Sequence, residues 1–229
     1  MGTLYLISSP IGNLEDISLR AAKTLFSVPI ILCEDTRKTN FLLDKTAQLF
    51  NLTFTNKPQL ISYYEENETG RIPRAIELLT KGADIALVTN AGTPLLSDPG
   101  YKLVREAVTK GINIISLPGP SAVTTSLVVS GLPTDRFMFI GFLPKKDSKL
   151  KEILNNLPQS TTIIFFESPF RIIATLKNLQ TFLGNVEVVI CRELTKLHEE
   201  ILRDKLIVII SHFEKIKPRG EFTCLFRTN

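Results

Sequence analysis

A loop of small and polar residues follows the apolar run at residues 85–88. Residues 90–100 read Asn-Ala-Gly-Thr-Pro-Leu-Leu-Ser-Asp-Pro-Gly. The apolar run predicts a buried strand, and a strand that ends in Gly, Thr, Pro and Asp leaves backbone groups bare at the edge of a sheet. Open α/β sheets bind small molecules at that edge. Because the loop has neither a Gly-x-Gly-x-x-Gly pattern nor the lysine of a phosphate loop, it predicts a ligand held by backbone groups.

Comparable segments follow five other apolar runs. They are residues 8–13 (Ser-Ser-Pro-Ile-Gly-Asn), 34–37 (Glu-Asp-Thr-Arg), 118–121 (Pro-Gly-Pro-Ser), 167–169 (Glu-Ser-Pro) and 192–193 (Arg-Glu). Since the carboxyl ends of parallel strands share one edge, these segments predict a single cleft. Taken one at a time, the strand-end loops also have purely structural interpretations. Asp98 in the 90–100 loop would belong to a turn, Asp35 would cap the N-terminus of a helix, and Ser168 would begin a helix.

Composition and cysteine spacing indicate a folded chain rather than one that is disordered or held together by disulfides. The 229 residues are 44% apolar and 22% charged, enough for one large or two small cores. The net charge of +4 arises in the second half, because residues 1–118 carry 12 basic and 12 acidic side chains and residues 119–229 carry 15 and 11. The three cysteines are far apart, so neither a disulfide framework nor a zinc site is expected. No apolar run approaches a membrane span, and we expect no membrane association.

Alternating short apolar runs and amphipathic runs predict an α/β protein with mostly parallel strands. Two stretches that interrupt this pattern, at 117–121 with two prolines around a glycine and at 131–135, predict a domain boundary. We expect an N-terminal α/β domain at 1–118 and a C-terminal one at 119–229. In the first domain the strands are expected at 4–7, 30–33, 60–63, 85–88 and 112–117, with helices at 15–26, 72–79 and 101–108. In the second, strands are expected at 137–142, 162–166, 186–191 and 222–226, with helices after Pro120 and at 145–157 and 170–182. Residues 206–210 fit a strand or a buried helix face equally well.

Several ordered motifs together are similar to those of one enzyme family. In chain order they are Ser-Pro-Ile-Gly-Asn-Leu-Glu-Asp-Ile (9–17), Cys-Glu-Asp-Thr-Arg (33–37), Ala-Gly-Thr-Pro through Ser-Asp-Pro-Gly-Tyr (91–101), Leu-Pro-Gly-Pro-Ser-Ala (117–122), Ser-Gly-Leu-Pro-Thr-Asp-Arg-Phe (130–137), Gly-Phe-Leu-Pro (141–144), Phe-Glu-Ser-Pro (166–169) and Arg-Glu-Leu-Thr-Lys (192–196). They resemble the small-subunit ribosomal RNA methyltransferase I family, which has the tetrapyrrole-methylase fold. The resemblance covers nearly the whole chain.

The resemblance implies two α/β domains of tetrapyrrole-methylase type with the cofactor cleft between them, and S-adenosyl-L-methionine as cofactor. It implies methylation of the ribose 2′-hydroxyl of a decoding-centre cytidine in 16S rRNA by a homodimer. Because the N-terminus has no basic n-region and no apolar run approaches a membrane span, we expect a cytoplasmic protein. Carried over position by position, the cofactor-binding residues are Pro10, Asn90, Gly92, Thr93, Ser121, Ala122, Phe166, Glu167, Glu193 and Gly220. No metal is expected, since the methyl carbon of a sulfonium is already activated.

Four positions depart from the family pattern. Asn90 stands where the family usually has Asp, and it removes a negative charge near the cationic sulfonium. Tyr64, Glu66 and Phe170 stand where the family usually has His, so proton transfer by those histidines is not expected here. The family often has a further small segment after the final strand, and this chain stops just after it.

Methyl transfer to a ribose hydroxyl requires in-line alignment and removal of a proton, for which a carboxylate base is suited. The catalytic candidates are Glu34 and Asp35, with Arg37 placing an RNA phosphate; Glu65 and Glu68 are second choices. Each carboxylate could equally be a solvated or capping residue. A run of lysines predicted on one helix is either a solvated face or an RNA contact: Lys145, Lys146, Lys149 and Lys151.

Two other functions remain open on the sequence. One is a methyltransferase of the same fold acting on a carbon of a uroporphyrinogen- or precorrin-type tetrapyrrole. The other is a ribosome-binding protein without turnover. The Ser-Pro-Ile-Gly-Asn and Asp-Thr-Arg motifs favour the RNA enzyme over the first.

Overall fold

The computed structural model describes residues 1–228 and divides into two compact units. The first unit is Met1–Ser121, and the second begins at Ala122. The sequence places the domain boundary after Pro118, three residues earlier. Each unit contains one five-stranded sheet.

The first unit is a parallel sheet with helices on both faces. Its strands are β1 (Thr3–Ile7), β2 (Ile30–Cys33), β3 (Gln59–Ser62), β4 (Ile85–Val88) and β5 (Asn113–Leu117). Its helices are α1 (Leu19–Ser27), α2 (Thr36–Phe50), α3 (Glu68–Thr80) and α4 (Tyr101–Thr109). The strand order is β3-β2-β4-β1-β5 and every pairing is parallel. All five strands therefore end at the same edge, which brings their following loops together.

Two apolar clusters, one on each face, explain why the central strands are uninterrupted apolar runs. One cluster joins Ile31 and Ala86 of the sheet to Leu25 of α1 and Leu43 of α2. The other joins the opposite face of the sheet to α3 and α4. Because β2 and β4 have all their residues buried, neither strand shows the alternation of a half-exposed strand.

The predicted strands of this unit are confirmed within a residue or two, but two helices differ. Instead of one helix at 15–26 the chain forms a 3-10 turn at Leu14–Asp16, and α1 begins after Ser18, whose hydroxyl accepts a hydrogen bond from the Ala21 amide. Helix α2 was not predicted. Its buried face contains Thr39 and Thr46 beside leucines, which weakens the apolar periodicity that sequence analysis depends on.

The second unit is a mixed sheet, not a parallel one. Its elements in order are α5 (Ala122–Ser130), β6 (Phe137–Phe142), α6 (Asp147–Asn155), β7 (Thr162–Glu167), α7 (Ile172–Leu183), β8 (Glu187–Arg192), β9 (Glu200–Lys205), α8 (Leu206–Lys215) and β10 (Phe222–Arg227). The strand order is β6-β7-β10-β8-β9, and only β6 with β7 is a parallel pair. Since β10 is antiparallel to both neighbours, β7 and β8 still end at the edge where β10 begins.

Three sequence expectations in this unit are resolved or corrected. Residues 206–210 lie in helix α8, with Leu206, Ile209, Ile210 and Phe213 buried. Strand β9 was missed because Glu, Arg, Asp and Lys make up most of it. Helix α6 starts at Asp147, so Lys145 and Lys146 lie in the preceding loop. Over residues 1–228, the helices are all too short or too polar to span a bilayer.

Candidate functional site

Backbone hydrogen bonds join two strand-end loops of the first unit. The amide of Ser9, after β1, donates to the carbonyl of Gly92, after β4, at 2.9 Å, and the Gly92 amide donates back to Ser9 at 3.1 Å. The Ser9 hydroxyl also donates to the Thr89 carbonyl at 3.1 Å. The predicted ligand loop is therefore fixed to the Ser-Ser-Pro loop, and Pro10 follows directly after this bridge.

A third loop, which follows β5, is attached through Thr93. The Thr93 hydroxyl donates to the Pro120 carbonyl at 3.1 Å, and its oxygen lies 3.1 Å from the Ser8 hydroxyl. A Cβ on Gly119 would lie only 2.9 Å from the Cβ of Ser8, so this approach requires glycine. Because the Thr93 hydroxyl donates its hydrogen bond to the Pro120 carbonyl, its side chain links the two loops. Ser121 follows directly after Pro120.

Asn90 binds the carboxylate of Glu34 at the end of the neighbouring strand β2. The Asn90 backbone amide donates to Oε1 of Glu34 at 3.0 Å, and its side-chain amide donates to Oε2 at 3.2 Å. An Asp side chain has no proton to donate there when ionised. The departure from the family pattern at position 90 thus has a direct structural consequence, since both Glu34 oxygens are held in place.

The partly buried Asp35 and the exposed Arg37 are bound to each other at the start of α2. The Asp35 carboxylate accepts hydrogen bonds from the Arg37 backbone amide at 2.9 Å and from its guanidinium at 3.2 and 3.0 Å. These bonds lower the pKa of Asp35 to about 2. A carboxylate that gives up its proton so readily is a weak general base. The Arg37 side chain is 90% exposed and is free to contact solvent-side groups with its remaining edge.

Glu68 is a buried structural residue rather than a solvent-facing base. Its side chain is 6% exposed. It accepts hydrogen bonds from the Tyr63 hydroxyl and the Gly100 amide, both at 3.0 Å, and its Oε2 lies 3.2 Å from the ammonium of Lys102. Glu68 therefore fastens the far end of the 90–100 loop to the loop that follows β3. Glu65, the other second choice, is exposed.

Asp98 lies in that same loop, directly after two residues held in unusual backbone conformations. Leu95 and Ser97 adopt left-handed conformations, with φ of 73° and 66°, which non-glycine residues rarely do without support from their surroundings. Burial, and then the nearby charge of Glu34, raise the pKa of Asp98 to about 7. Within residues 1–228, Asp98 has no hydrogen-bond or ion-pair partner. Its carboxylate is thus the least satisfied acid at this edge.

In the second unit, the ends of β7 and β8 meet the start of β10. Phe222 pairs with Glu167 on one side and Arg192 on the other. The Glu167 side chain is buried and accepts hydrogen bonds from the Ser168 amide at 2.7 Å and the Thr175 hydroxyl at 2.6 Å. Glu167 therefore stabilises the turn into α7, and its side chain, which also lies 3.5 Å from the Arg171 guanidinium, is fully engaged by the protein.

Glu193 and Gly220 also meet at this edge. The Glu193 carboxylate accepts hydrogen bonds from the Lys196 ammonium at 2.8 Å and the Glu221 amide at 2.9 Å. Lys196 additionally binds the Glu221 carboxylate at 2.8 Å. A Cβ on Gly220 would overlap the Glu193 carboxyl group. The Glu193 charge is thus neutralised by Lys196, and the two loops have little room for change.

Two further positions singled out by the sequence in the second unit, Phe166 and Phe170, are aromatic. The Phe166 ring packs edge-on against Phe139 and Phe142, with centroids 4.8 and 5.8 Å away. Phe170, at a position where the family usually has His, is 94% exposed. Ala122 is the first residue of α5.

The structure thus gathers the predicted residues into one group in each unit. Pro10, Glu34, Asp35, Asn90, Gly92 and Thr93 lie at the carboxyl edge of the first sheet, and Phe166, Glu167, Glu193 and Gly220 lie at one edge of the second. The sequence alone did not reveal the surroundings of Asp98 or the buried hydrogen bonds of Glu68. The strand order was the necessary signal, because β4 pairs with β2 and so places its following loop beside Glu34. Cys33, Cys191 and Cys224 are buried free thiols, and residues 1–228 contain no cluster of three metal-ligating side chains.

The chain belongs to the family described as tetrapyrrole (corrin/porphyrin) methylases, whose family model matches residues 3–208. It is a methyltransferase. Within that family it belongs with ribosomal RNA small subunit methyltransferase I. The protein of that name from Thermotoga maritima is 45% identical over 97% of both chains, and the one from Halalkalibacterium halodurans is 44% identical over 100% of this chain and 76% of its own length.

Solved structures at lower identity share the fold. A uroporphyrin-III C-methyltransferase from Thermus thermophilus has a TM-score of 0.66 at 17% identity, covering 99% of this chain and 95% of that one. A diphthine synthase has a TM-score of 0.72 at 16% identity, covering 99% and 90%. At such identities the likeness concerns the fold alone, so it does not favour a tetrapyrrole acceptor.

Proposed function

We propose that this chain transfers the methyl group of S-adenosyl-L-methionine to the ribose 2′-oxygen of a decoding-centre cytidine in 16S rRNA of the small ribosomal subunit. The observation that supports this most directly is the 45% identity to a ribosomal RNA small subunit methyltransferase I over nearly the full length of both chains. The acceptor atom and nucleotide come from the motif resemblance. An enzyme with this substrate works in the cytoplasm, and the resemblance adds a homodimer.

The loops at the two sheet edges fit a cofactor held mainly by backbone groups. In the first unit, Pro10, Asn90, Gly92, Thr93 and Ser121 lie on loops that are fastened to one another, so little order has to be gained on binding. Thr93 and Glu167 use their side chains to fasten loops, and we assign them backbone contacts. In the second unit, the Phe166 ring offers a flat apolar surface, and Ala122, Glu193 and Gly220 complete the set. The cofactor supplies an activated methyl carbon, and the protein supplies alignment.

The first-unit edge also carries groups suited to RNA. Asp35 holds the exposed guanidinium of Arg37, which suits it to a backbone phosphate. Glu34 is fixed by Asn90 at the same edge. In the second unit Lys145, Lys146, Lys149 and Lys151 are all exposed and can add phosphate contacts.

The proposal is tested by incubating the protein with cofactor labelled in its methyl group and small subunits from a strain that lacks the modification. We expect label on one cytidine, resistant to alkaline cleavage at the following phosphate because the 2′-oxygen is blocked. Label on a base, or no label, would overturn the proposal.

Two parallel measurements separate the other candidate functions. A uroporphyrinogen-type acceptor in place of the subunits should remain unlabelled if the acceptor is RNA. Titration calorimetry with S-adenosyl-L-methionine should show binding, whereas a ribosome-binding protein without turnover would show none.

A further inference from the structure

We infer that Asp98 is the general base that removes the proton from the acceptor hydroxyl. Glu34, which Asn90 holds in place, supplies a nearby negative charge that favours proton uptake by Asp98. This inference rests on the proposed function. It assigns the base to a residue outside the Glu34 and Asp35 pair that the sequence favours.

The hydrogen-bond partners of the competing carboxylates make them less suitable. Asp35 accepts three hydrogen bonds from Arg37, and Glu68 is buried among Tyr63, Gly100 and Lys102. Glu34 accepts one hydrogen bond on each oxygen from Asn90. A carboxylate whose lone pairs are already engaged, or whose charge is already balanced, gains less by taking a proton.

Asp98 differs because the structure holds its backbone but leaves its carboxylate unpaired within residues 1–228. Gly92 fixes the start of its loop to Ser9, and the amide of Gly100 fixes the end to Glu68. The left-handed residues Leu95 and Ser97 lie between these anchors. A half-buried acid without partners on a loop with two fixed ends is a costly arrangement, which is typical of functional sites.

The electrostatic environment of Asp98 matches the task. Burial and the charge of Glu34 bring the pKa of Asp98 to about 7, and a general base works best when its pKa lies near the working pH. No cation lies within ion-pair distance of the Asp98 carboxylate among residues 1–228. Glu34 cannot swing away easily, because Asn90 binds both of its oxygens.

The step balances as a single displacement. The ribose oxygen gives its proton to the Asp98 carboxylate and uses an electron pair to bond to the methyl carbon. The bond from that carbon to sulfur breaks, and its electron pair stays on sulfur, so the products are the methyl ether and S-adenosyl-L-homocysteine. The proton on Asp98 then passes to solvent.

The test compares Asp98→Asn with Asp44→Asn, which makes the same chemical change at an exposed position of α2. Single-turnover methylation of unmodified subunits is measured from pH 5.5 to pH 9 at saturating cofactor, with cofactor affinity by calorimetry. For the unsubstituted protein and Asp44→Asn we expect a rate that rises with pH to a plateau, with a midpoint near the Asp98 pKa of about 7. For Asp98→Asn we expect unchanged cofactor affinity, a loss of about 10²-fold or more at the plateau, and no midpoint in this range.

An Asp98→Asn rate within about threefold of the unsubstituted protein, with the same midpoint, would overturn the inference and leave the proposed function intact. Failure of the unsubstituted protein to label a ribose 2′-oxygen would instead overturn the proposed function. Glu34→Gln provides a second readout: the midpoint should move to lower pH, because the charge that raises the Asp98 pKa is gone. An unchanged midpoint would contradict the role given to Glu34.

Discussion

Asn90 donates two hydrogen bonds to Glu34, one from its backbone amide and one from its side chain, at 3.0 and 3.2 Å. The two residues lie 56 positions apart and meet because β2 and β4 are neighbours in the sheet. At position 90, where this chain departs from the family sequence, the Asn side chain makes a specific contact with Glu34. This contact also places a fixed negative charge beside the loop that carries Asp98.

Asn90→Asp should weaken this contact. The substitution replaces a donor with a second carboxylate, so the two side chains repel when both are ionised. Because the pair is partly exposed, we expect a loss of about 1 kcal/mol in the free energy of unfolding at pH 8 and a smaller loss at pH 5, where protonation relieves the repulsion. Urea unfolding at both pH values measures it. Asn90→Ala, which removes the donor without adding charge, should show no such pH dependence, and equal pH dependence in the two variants would contradict the explanation.

Asp98→Asn should stabilise the protein above neutral pH. The folded-state pKa of Asp98 is raised from 3.8 to about 7, so between these values the folded protein binds more protons than the unfolded chain. The free energy of unfolding contributed by this group therefore falls as pH rises from about 4 to about 7 and is level above. Asp98→Asn removes the titrating group, so the variant lacks this decrease in the free energy of unfolding with rising pH. We expect a gain of about 1–2 kcal/mol at pH 8, reduced from the full shift by partial solvent screening.

The gain at pH 8 should be larger than the gain at pH 5, as measured by urea unfolding. Asp44→Asn is the control and should change little at either pH. A pH-independent effect of Asp98→Asn would mean that the side chain acts through packing and not through its charge.

Glu68→Ala should destabilise the first unit strongly. The substitution leaves the buried Tyr63 hydroxyl and the Gly100 amide without their acceptor, and each such group costs about 1–3 kcal/mol. We expect a total loss of about 2–4 kcal/mol by thermal or urea unfolding at pH 7, and Glu66→Ala at an exposed neighbouring position should lose almost nothing. Hydrogen bonds from Gly100, Lys102 and Tyr63 more than offset burial and lower the Glu68 pKa below 4.5. The contribution of Glu68 should therefore fade only as pH falls below about 4.5.

Gly220→Ala should destabilise the second-unit loops more than alanine does at a glycine that has no close neighbours. Gly220 has a φ of 90°, which alanine adopts only under strain, and the added methyl group overlaps the Glu193 carboxyl group. The strain alone costs of order 1–3 kcal/mol, and displacement of Glu193 should also weaken cofactor binding in calorimetry.

Gly131→Ala is the matched control for this prediction, because Gly131 has a φ of 78° and no neighbouring atom of residues 1–228 lies within 4 Å of the added carbon. It should show the strain penalty without the loss of cofactor affinity. Equal affinity losses in the two variants would mean that Glu193 does not support the cofactor site.

Much of the architecture can be predicted from the sequence because buried strands and helix faces produce strong local patterns of apolar residues. The strands β2 and β4 are uninterrupted apolar runs, and the loops rich in Pro and Gly that follow the strands indicate the edge at which we expect a ligand. The pattern fails where the buried face contains polar residues, as in α2 with Thr39 and Thr46, or where most residues of a strand are charged, as in β9. Residues 206–210 have no local answer, since an apolar run of that length suits both a strand and a buried helix.

By itself, then, the sequence determined the two α/β halves, the strand-end loops and the family. Only the tertiary structure decided what the site carboxylates do. In the sequence Asp35, Glu34, Glu68 and Asp98 are equivalent acids, but strand order and loop closure give the first three different sets of hydrogen-bond donors. Among residues 1–228, the Asp98 carboxylate has no donor. A carboxylate becomes a cap, a fixed charge, a buried fastener or a base according to which donors and charges surround it, and those neighbours come from distant parts of the chain.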